Sequence, residues 1–267
     1  MKEPWKGYVK PFKIFGNLYF VGTEPASTHI IDTGDGLIML DSGYQQSLYL
    51  VLHNMHLLGL NPLDLKYILH THGHIDHMGA TRALIELTGA KTFIGREDGE
   101  IVNGSVDLSY AKELGMEFTE IFEPDVLIDD GDIIKLGNTK ITAKATPGHT
   151  KGAMSYFFDV SDGERVKRAG HHGGMGINTM CREFLDKYGL SYECRDNFAA
   201  AMDRLKDEPC DIFIGNHMQH NKTKEKYLLM EKGDADAFIN ESEWGEYCLW
   251  AKQNMLNMVE KEKEEEK

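Results

Sequence analysis

The chain has 267 residues, 41% of them hydrophobic and 27% charged, and carries a formal net charge of −14. This is the profile of an ordinary globular protein, long enough for one large domain or two small ones. The acidic excess argues against nucleic acid or an anionic membrane as partner, although part of it lies in the closing Glu/Lys run, residues 260–267. No apolar stretch approaches the length of a membrane span and no apolar leader follows Met1 to Trp5, so a cytoplasmic location is expected. Cys181, Cys194, Cys210 and Cys248 show no Cys-x-x-Cys spacing and read as free thiols.

In chain order, the apolar runs 12–15 and 18–21 flank Gly16-Asn17 and predict a hairpin. Residues 27–31 and 37–40 are two further strands around the turn Gly34-Asp35-Gly36. Asp41-Ser42-Gly43 ends the second strand and is placed to cap a helix over about 45–58. Pro62 breaks that pattern, and 66–69 is a short buried strand. A helix over 78–87, closed by Gly89, leads to a strand at 91–94. A second series repeats the theme, with strands at 126–128, 133–136 and 140–145 and a hairpin of 153–160 with 164–169. Then come a glycine-rich loop from Gly170 to Gly176, helices over about 179–188 and 195–206, and a strand at 211–214. From about 221 the chain is mostly helical. The stripe Trp244, Tyr247, Leu249, Trp250, Met255 and Met258 reads as a docking face, and the polar tail as frayed. No Pro/Gly/Ser-rich linker divides the halves. Residues 1–267 therefore read as a single domain of two sheets packed face to face with helices outside, an αβ/βα four-layer sandwich.

Directly after the strand 66–69 comes His70-Thr71-His72-Gly73-His74-Ile75-Asp76-His77. Three imidazoles and a carboxylate between 72 and 77 cannot share one helix face or one strand face. They fan out from a loop, as ligands around a pair of metal ions do. Burying so dense a polar cluster beside an apolar strand without a metal is costly. His149 and His217 also follow strand ends, at 145 and 214, and such ends can converge on a common sheet edge. Imidazole and carboxylate suit zinc, and also iron or manganese. His70 reads as a buried, hydrogen-bonded histidine, and His29, His53, His56 and His220 have no partner by spacing.

The segments HTHGHIDH, TPGHTKGAMSYFF and LIMLDSG resemble those of the metallo-β-lactamase superfamily, in order and approximate separation over most of residues 12–220. The resemblance implies the fold of that name and a hydrolase with two Zn2+ per chain acting on a small-molecule amide, lactam or ester. His72, His74 and His149 would hold one ion, and Asp76, His77 and His217 the other. A metal-bridging hydroxide would attack, with Asp76 orienting it or accepting its proton. Asp41 would orient a ligand from behind, a role compatible with capping the helix.

Related thioesterases, lactonases and phosphodiesterases carry a bridging Asp after the PGHT hairpin, and two lactamase subclasses a Cys. This chain has Gly170-His171-His172-Gly173 there. The combination is most similar to the third lactamase subclass, whose second site is Asp-His-His. His171 stands at about the vacant position and is expected in the active site as a further ligand, a proton donor or a substrate contact, with His172 as the alternative. A metal pair without a bridging carboxylate keeps more positive charge, which favours carbonyl hydrolysis over phosphodiester cleavage. Gly173, Gly174 and Gly176 either free backbone N–H groups for a substrate or permit tight turns. Met175, Asn178, Tyr156 and Asn216 are candidate pocket residues. A thioesterase or lactonase of the same fold and a di-iron oxidoreductase are the other activities the resemblance admits. Substrate, native metal and oligomeric state are not fixed by it.

Overall fold

Two sheets form the centre of the computed structural model, which describes residues 3–265. The first has seven strands in sequential order: β1 (Phe12–Phe15), β2 (Leu18–Phe20), β3 (His29–Asp32), β4 (Leu37–Leu40), β5 (Leu65–Leu69), β6 (Lys91–Gly95) and β7 (Val126–Ile128). β1 to β4 make an antiparallel meander, and β4 to β7 run parallel. The parallel half needs crossovers. These are α1 (Leu48–Leu57), the pair α2 (Ile75–Met78) and α3 (Thr81–Thr88), and a segment that contains α4 (Gly99–Val102).

The second sheet has the order β12-β11-β10-β9-β8, with β8 (Ile133–Leu136), β9 (Thr139–Ala145), β10 (Met154–Ser161), β11 (Val166–His171) and β12 (Ile212–Ile214). β8 to β11 are antiparallel, and β12 joins β11 in parallel. α5 (Arg182–Tyr188) and α6 (Glu193–Leu205) make that crossover, and α7 (Thr223–Glu231) and α8 (Glu243–Glu264) follow β12.

Strand alternation sorts the side chains into three apolar layers. Ile38 and Leu40 face the second sheet, where they join Phe20, Ile141, Tyr156, Phe158 and Ile214 in the inter-sheet core. Leu37 and Met39 face the opposite way, onto Val51 and Met55 of α1. On the far side, Phe157 and Phe213 pack under Phe198 and Met202 of α6 and Trp244 and Tyr247 of α8. The result is the expected four-layer αβ/βα sandwich.

Local differences have physical causes. The helix expected from 45 begins as a 3-10 turn, Gln45–Ser47, preceded by Tyr44 rather than capped by Asp41. Asp41 sits at φ +55° and turns its carboxylate toward β5 instead. The helix expected over 78–87 is two pieces, α2 and α3, broken at Gly79 and Ala80. The polar tail is helical to Glu264, because Glu262 is tied to the body by the Arg195 guanidinium at 2.7 Å and the Arg182 backbone N–H at 2.7 Å. Of the last helix's stripe, Trp244, Tyr247 and Met255 are buried, whereas Leu249 and Trp250 stay more than half exposed. Among the described residues no helix is long and apolar enough to cross a membrane.

The topology places the chemistry. β9, β11 and β12 run in one direction, so their C-terminal ends gather at one edge of the second sheet. The loops after β9 and β12 carry His149 and His217, and β11 ends at His171. The C-terminal end of β5 delivers residues 70–77 to the facing edge of the first sheet.

Candidate metal centre

Two trios of donors converge there. His72, His74 and His149 form one, and Asp76, His77 and His217 the other, with the ligand-type atoms of each trio within 4.8 Å of one another. All six positions expected from the sequence are thus brought together. In the first trio His72 Nε2 faces His74 Nδ1 at 3.1 Å, and the His149 ring centroid lies 4.8 and 4.5 Å from those of His72 and His74. In the second, Asp76 Oδ2 lies 3.2 Å from His77 Nε2 and 3.5 Å from His217 Nε2.

The outward nitrogens fix the tautomers. His149 Nδ1–H donates to the Gly176 carbonyl at 2.9 Å, and His217 Nδ1–H to the Pro25 carbonyl at 2.8 Å. His77 Nδ1–H donates to Asp41 Oδ2 at 2.8 Å. Thr71 Oγ1 gives its proton to Asp41 Oδ2 at 2.7 Å and so accepts from His72 Nδ1–H at 3.0 Å. Each of these four rings therefore turns Nε2 inward, bare in His72, His149 and His217 and facing the Asp76 carboxylate in His77. Imidazole lone pairs converging on one another repel unless a cation lies between them, and an acceptor behind each ring is the arrangement metal-binding histidines adopt. The donor set fits a pair of divalent ions.

Electrostatics agree. Burial, reinforced by the neighbouring imidazoles, keeps His72 and His74 well below the usual histidine range. Burial likewise pushes His149 down to about 4, against the Gly176 carbonyl and Asp76. Burial opposes ionisation of Asp76, but His77, His217 and His74 hold its carboxyl well below the usual range. His77 is the exception. Burial opposes its charge, yet Asp76 and Asp41 raise it to about 10.

Asp41 links three elements, since its Oδ1 also accepts the Thr71 backbone N–H at 2.7 Å. The role expected for it from behind the ligands is the one its contacts describe. Asp98 does a second such job that the sequence did not reveal. Its buried carboxylate accepts from Gly73 N–H at 2.8 Å, Thr150 Oγ1–H at 2.7 Å and Gly152 N–H at 2.8 Å, so it ties the His72–His74 loop to the His149 loop. The glycines of the 170–176 loop serve close packing. A Cβ on Gly174 would sit 2.2 Å from His149 Cδ2, and one on Gly173 2.4 Å from the Met154 carbonyl oxygen.

His171 is fully buried, packs edge-on to His29 at 5.3 Å, and has no hydrogen-bond partner on either ring nitrogen among the described residues. Burial, with a smaller contribution from His77, pushes it down to about 3. It does not line the cavity over the two trios. That cavity encloses about 410 Å3 and is lined by Met175, Asn178 and Asn216, with Tyr44, Tyr110, Gln219 and His220. Tyr156 is a core residue whose hydroxyl donates to the His70 carbonyl at 2.6 Å. His70 is buried between the Phe93 carbonyl and Thr81 Oγ1, as expected. Sequence reasoning missed His220, which stands three residues after His217 and reaches the cavity wall. That spacing was the available signal.

Residues 21–163 match the family model described as the metallo-beta-lactamase superfamily. The chain belongs to that superfamily. Its structure is similar over its full length to a subclass B3 metallo-beta-lactamase of Bradyrhizobium japonicum, with TM-score 0.89, 27% identity and 99% of that chain covered. A native metallo-beta-lactamase from Legionella gormanii matches 96% of this chain and 98% of its own, with TM-score 0.88 and 27% identity. Among curated sequences, a hydroxyacylglutathione hydrolase of Maricaulis maris is 35% identical over 142 residues, which is 52% of this chain and 42% of that protein. An uncharacterised Aquifex aeolicus protein is 36% identical over 85 residues, 32% of this chain and 39% of its own length. The chain thus matches less than half the length of these curated relatives.

Proposed function

We propose that the protein is a two-zinc hydrolase that cleaves a small amide, lactam or ester. The observation that carries this reading is the pair of donor trios, in which acceptors hold the outward ring nitrogens and so turn Nε2 of His72, His77, His149 and His217 inward. When bound, a pair of divalent ions polarises a carbonyl and makes water acidic enough to ionise near neutral pH. His72, His74 and His149 offer a neutral all-nitrogen set. Asp76, His77 and His217 offer one negative charge. Asp76 faces the cavity, where it orients the attacking water and accepts its hydrogen bond. Asp41 and Asp98 keep both sets from shifting as charge develops. His171, fully buried against His29 and absent from the cavity lining, is assigned to packing rather than to the leaving group.

Likeness to the Bradyrhizobium enzyme supports a lactam or amide. The Maricaulis relative supports a thioester as the second reading, with lactones alongside it. The test is zinc analysis with turnover of nitrocefin against a panel of esters, thioesters and lactones. Two zinc ions per chain and chelator-sensitive cleavage of one class are expected. Loss of metal and activity should accompany combined His72→Ala and His74→Ala. Retention of both by that variant would overturn the assignment.

A further inference from the structure

The cavity wall beside His217 carries a histidine pair that the two trios do not use. His172 is fully buried, and its Nδ1 lies 3.0 Å from the Gly173 carbonyl, an acceptor only. That nitrogen therefore carries the ring's proton, and with no carboxylate beside it the buried ring stays neutral. His172 Nε2 is left as an acceptor, 2.8 Å from His220 Nδ1. His220 must then donate through Nδ1, toward His172 and toward Asn216 Oδ1 at 3.2 Å. The Tyr247 ring of α8 closes the pair from behind, 5.2 Å from His172 and 5.6 Å from His220. The remaining nitrogen, His220 Nε2, makes no hydrogen bond among the described residues, and His220 lines the cavity next to His217. It is a fixed acceptor offered to whatever occupies that space.

The rest of the wall narrows the chemistry further. Among the described residues lining this cavity there is no lysine or arginine. Lys151 lines a separate cavity of about 260 Å3 on the other side of His74 and His149. Polar groups around the trios are carboxamides, phenols and imidazole, which suit an uncharged, hydrogen-bonding molecule.

We propose that His220, oriented by His172, is a specificity-determining residue that accepts a hydrogen bond from a hydroxyl or amide N–H adjacent to the scissile carbonyl of an uncharged substrate. This rests on the reading of the cavity as the hydrolytic site, but its test does not depend on turnover. The zinc-loaded protein, labelled with 15N-histidine, is titrated with lactamide and with propionamide, which differ by one hydroxyl. The free protein should show His220 protonated at Nδ1 with Nε2 bare. Lactamide should bind about fivefold more tightly than propionamide, the effect of one neutral hydrogen bond, and shift Nε2 selectively. His220→Phe should abolish the preference with both zinc ions retained, and His172→Phe should weaken it and mix the His220 tautomers. A proton found on Nε2 in the wild type, equal affinity for the two amides, or an undiminished preference in His220→Phe would each overturn the proposal. A lactamide preference in a protein that hydrolyses nothing would leave it standing and refute the hydrolase reading alone.

Discussion

Asp98→Ala isolates the scaffold of the metal centre from its ligands. The side chain touches neither trio, yet it joins the loop between His72 and His74 to the segment following His149. The side chain is fully buried, and burial pushes its carboxyl above the usual range in spite of three donors that favour the charged form. Removing the carboxylate leaves the Gly73 N–H, the Thr150 hydroxyl and the Gly152 N–H without acceptors. Each stranded donor costs about 1–3 kcal/mol. The Thr150 hydroxyl can rotate and water can enter the space, so the expected loss of unfolding free energy is about 3–6 kcal/mol. Urea denaturation of the zinc-free protein measures that term alone. Competition for zinc with a fluorescent chelator measures the second consequence, an affinity about 10–100-fold weaker, because the two halves of the first trio are no longer held in register. A stability loss below about 1 kcal/mol would refute the energetic argument. A full stability loss with unchanged zinc affinity would refute the idea that Asp98 sets the ligand geometry.

Asp41→Asn keeps the side-chain shape and tolerates the residue's positive φ, but its amide must turn a donor toward one of three donating groups. Zinc affinity at the second trio should fall about 10–100-fold, read by the same competition. Gly174→Ala places a methyl against the His149 ring. Thermal unfolding should occur at lower temperature and zinc content should fall from two toward one by elemental analysis, whereas Gly189→Ala, in open space at a helix end, should leave zinc content unchanged. Burial pushes the Cys210 and Cys248 thiols up to about 12. The native protein at pH 8 should therefore leave both unmodified by a thiol reagent while Cys181, nearer the surface, reacts, as peptide mapping would show.

The strands were readable because their alternation is simple. Ile38 and Leu40 against Leu37 and Met39 already separate two faces. The trios were readable because six ligand-type residues follow strand ends. Asp98 was hidden for the opposite reason. It sits in Arg96-Glu97-Asp98-Gly99, a charged turn that looks solvated, and only the 150–152 loop folding over it makes it buried. Asp41 misled as a helix cap because Asp before a helix usually is one. The competing hydrogen bonds to Thr71 and His77 come from residues 30 and 36 positions away. His171 and His172 are adjacent in sequence yet serve different surroundings, one against His29 and the other against His220, as neighbours in an extended segment do.

The first trio draws His72 and His74 from the loop after β5 and the second draws Asp76 and His77 from α2, while each takes one member from a loop of the second sheet, His149 in one case and His217 in the other. The apolar core between the sheets is non-directional and would tolerate slight sliding. An ion gripped from both sides would not. Occupancy would rivet the two sheets at one rim, as a disulfide does in secreted proteins, but reversibly and with strength set by free metal concentration. The sandwich would be stiffest at the edge where chemistry is done.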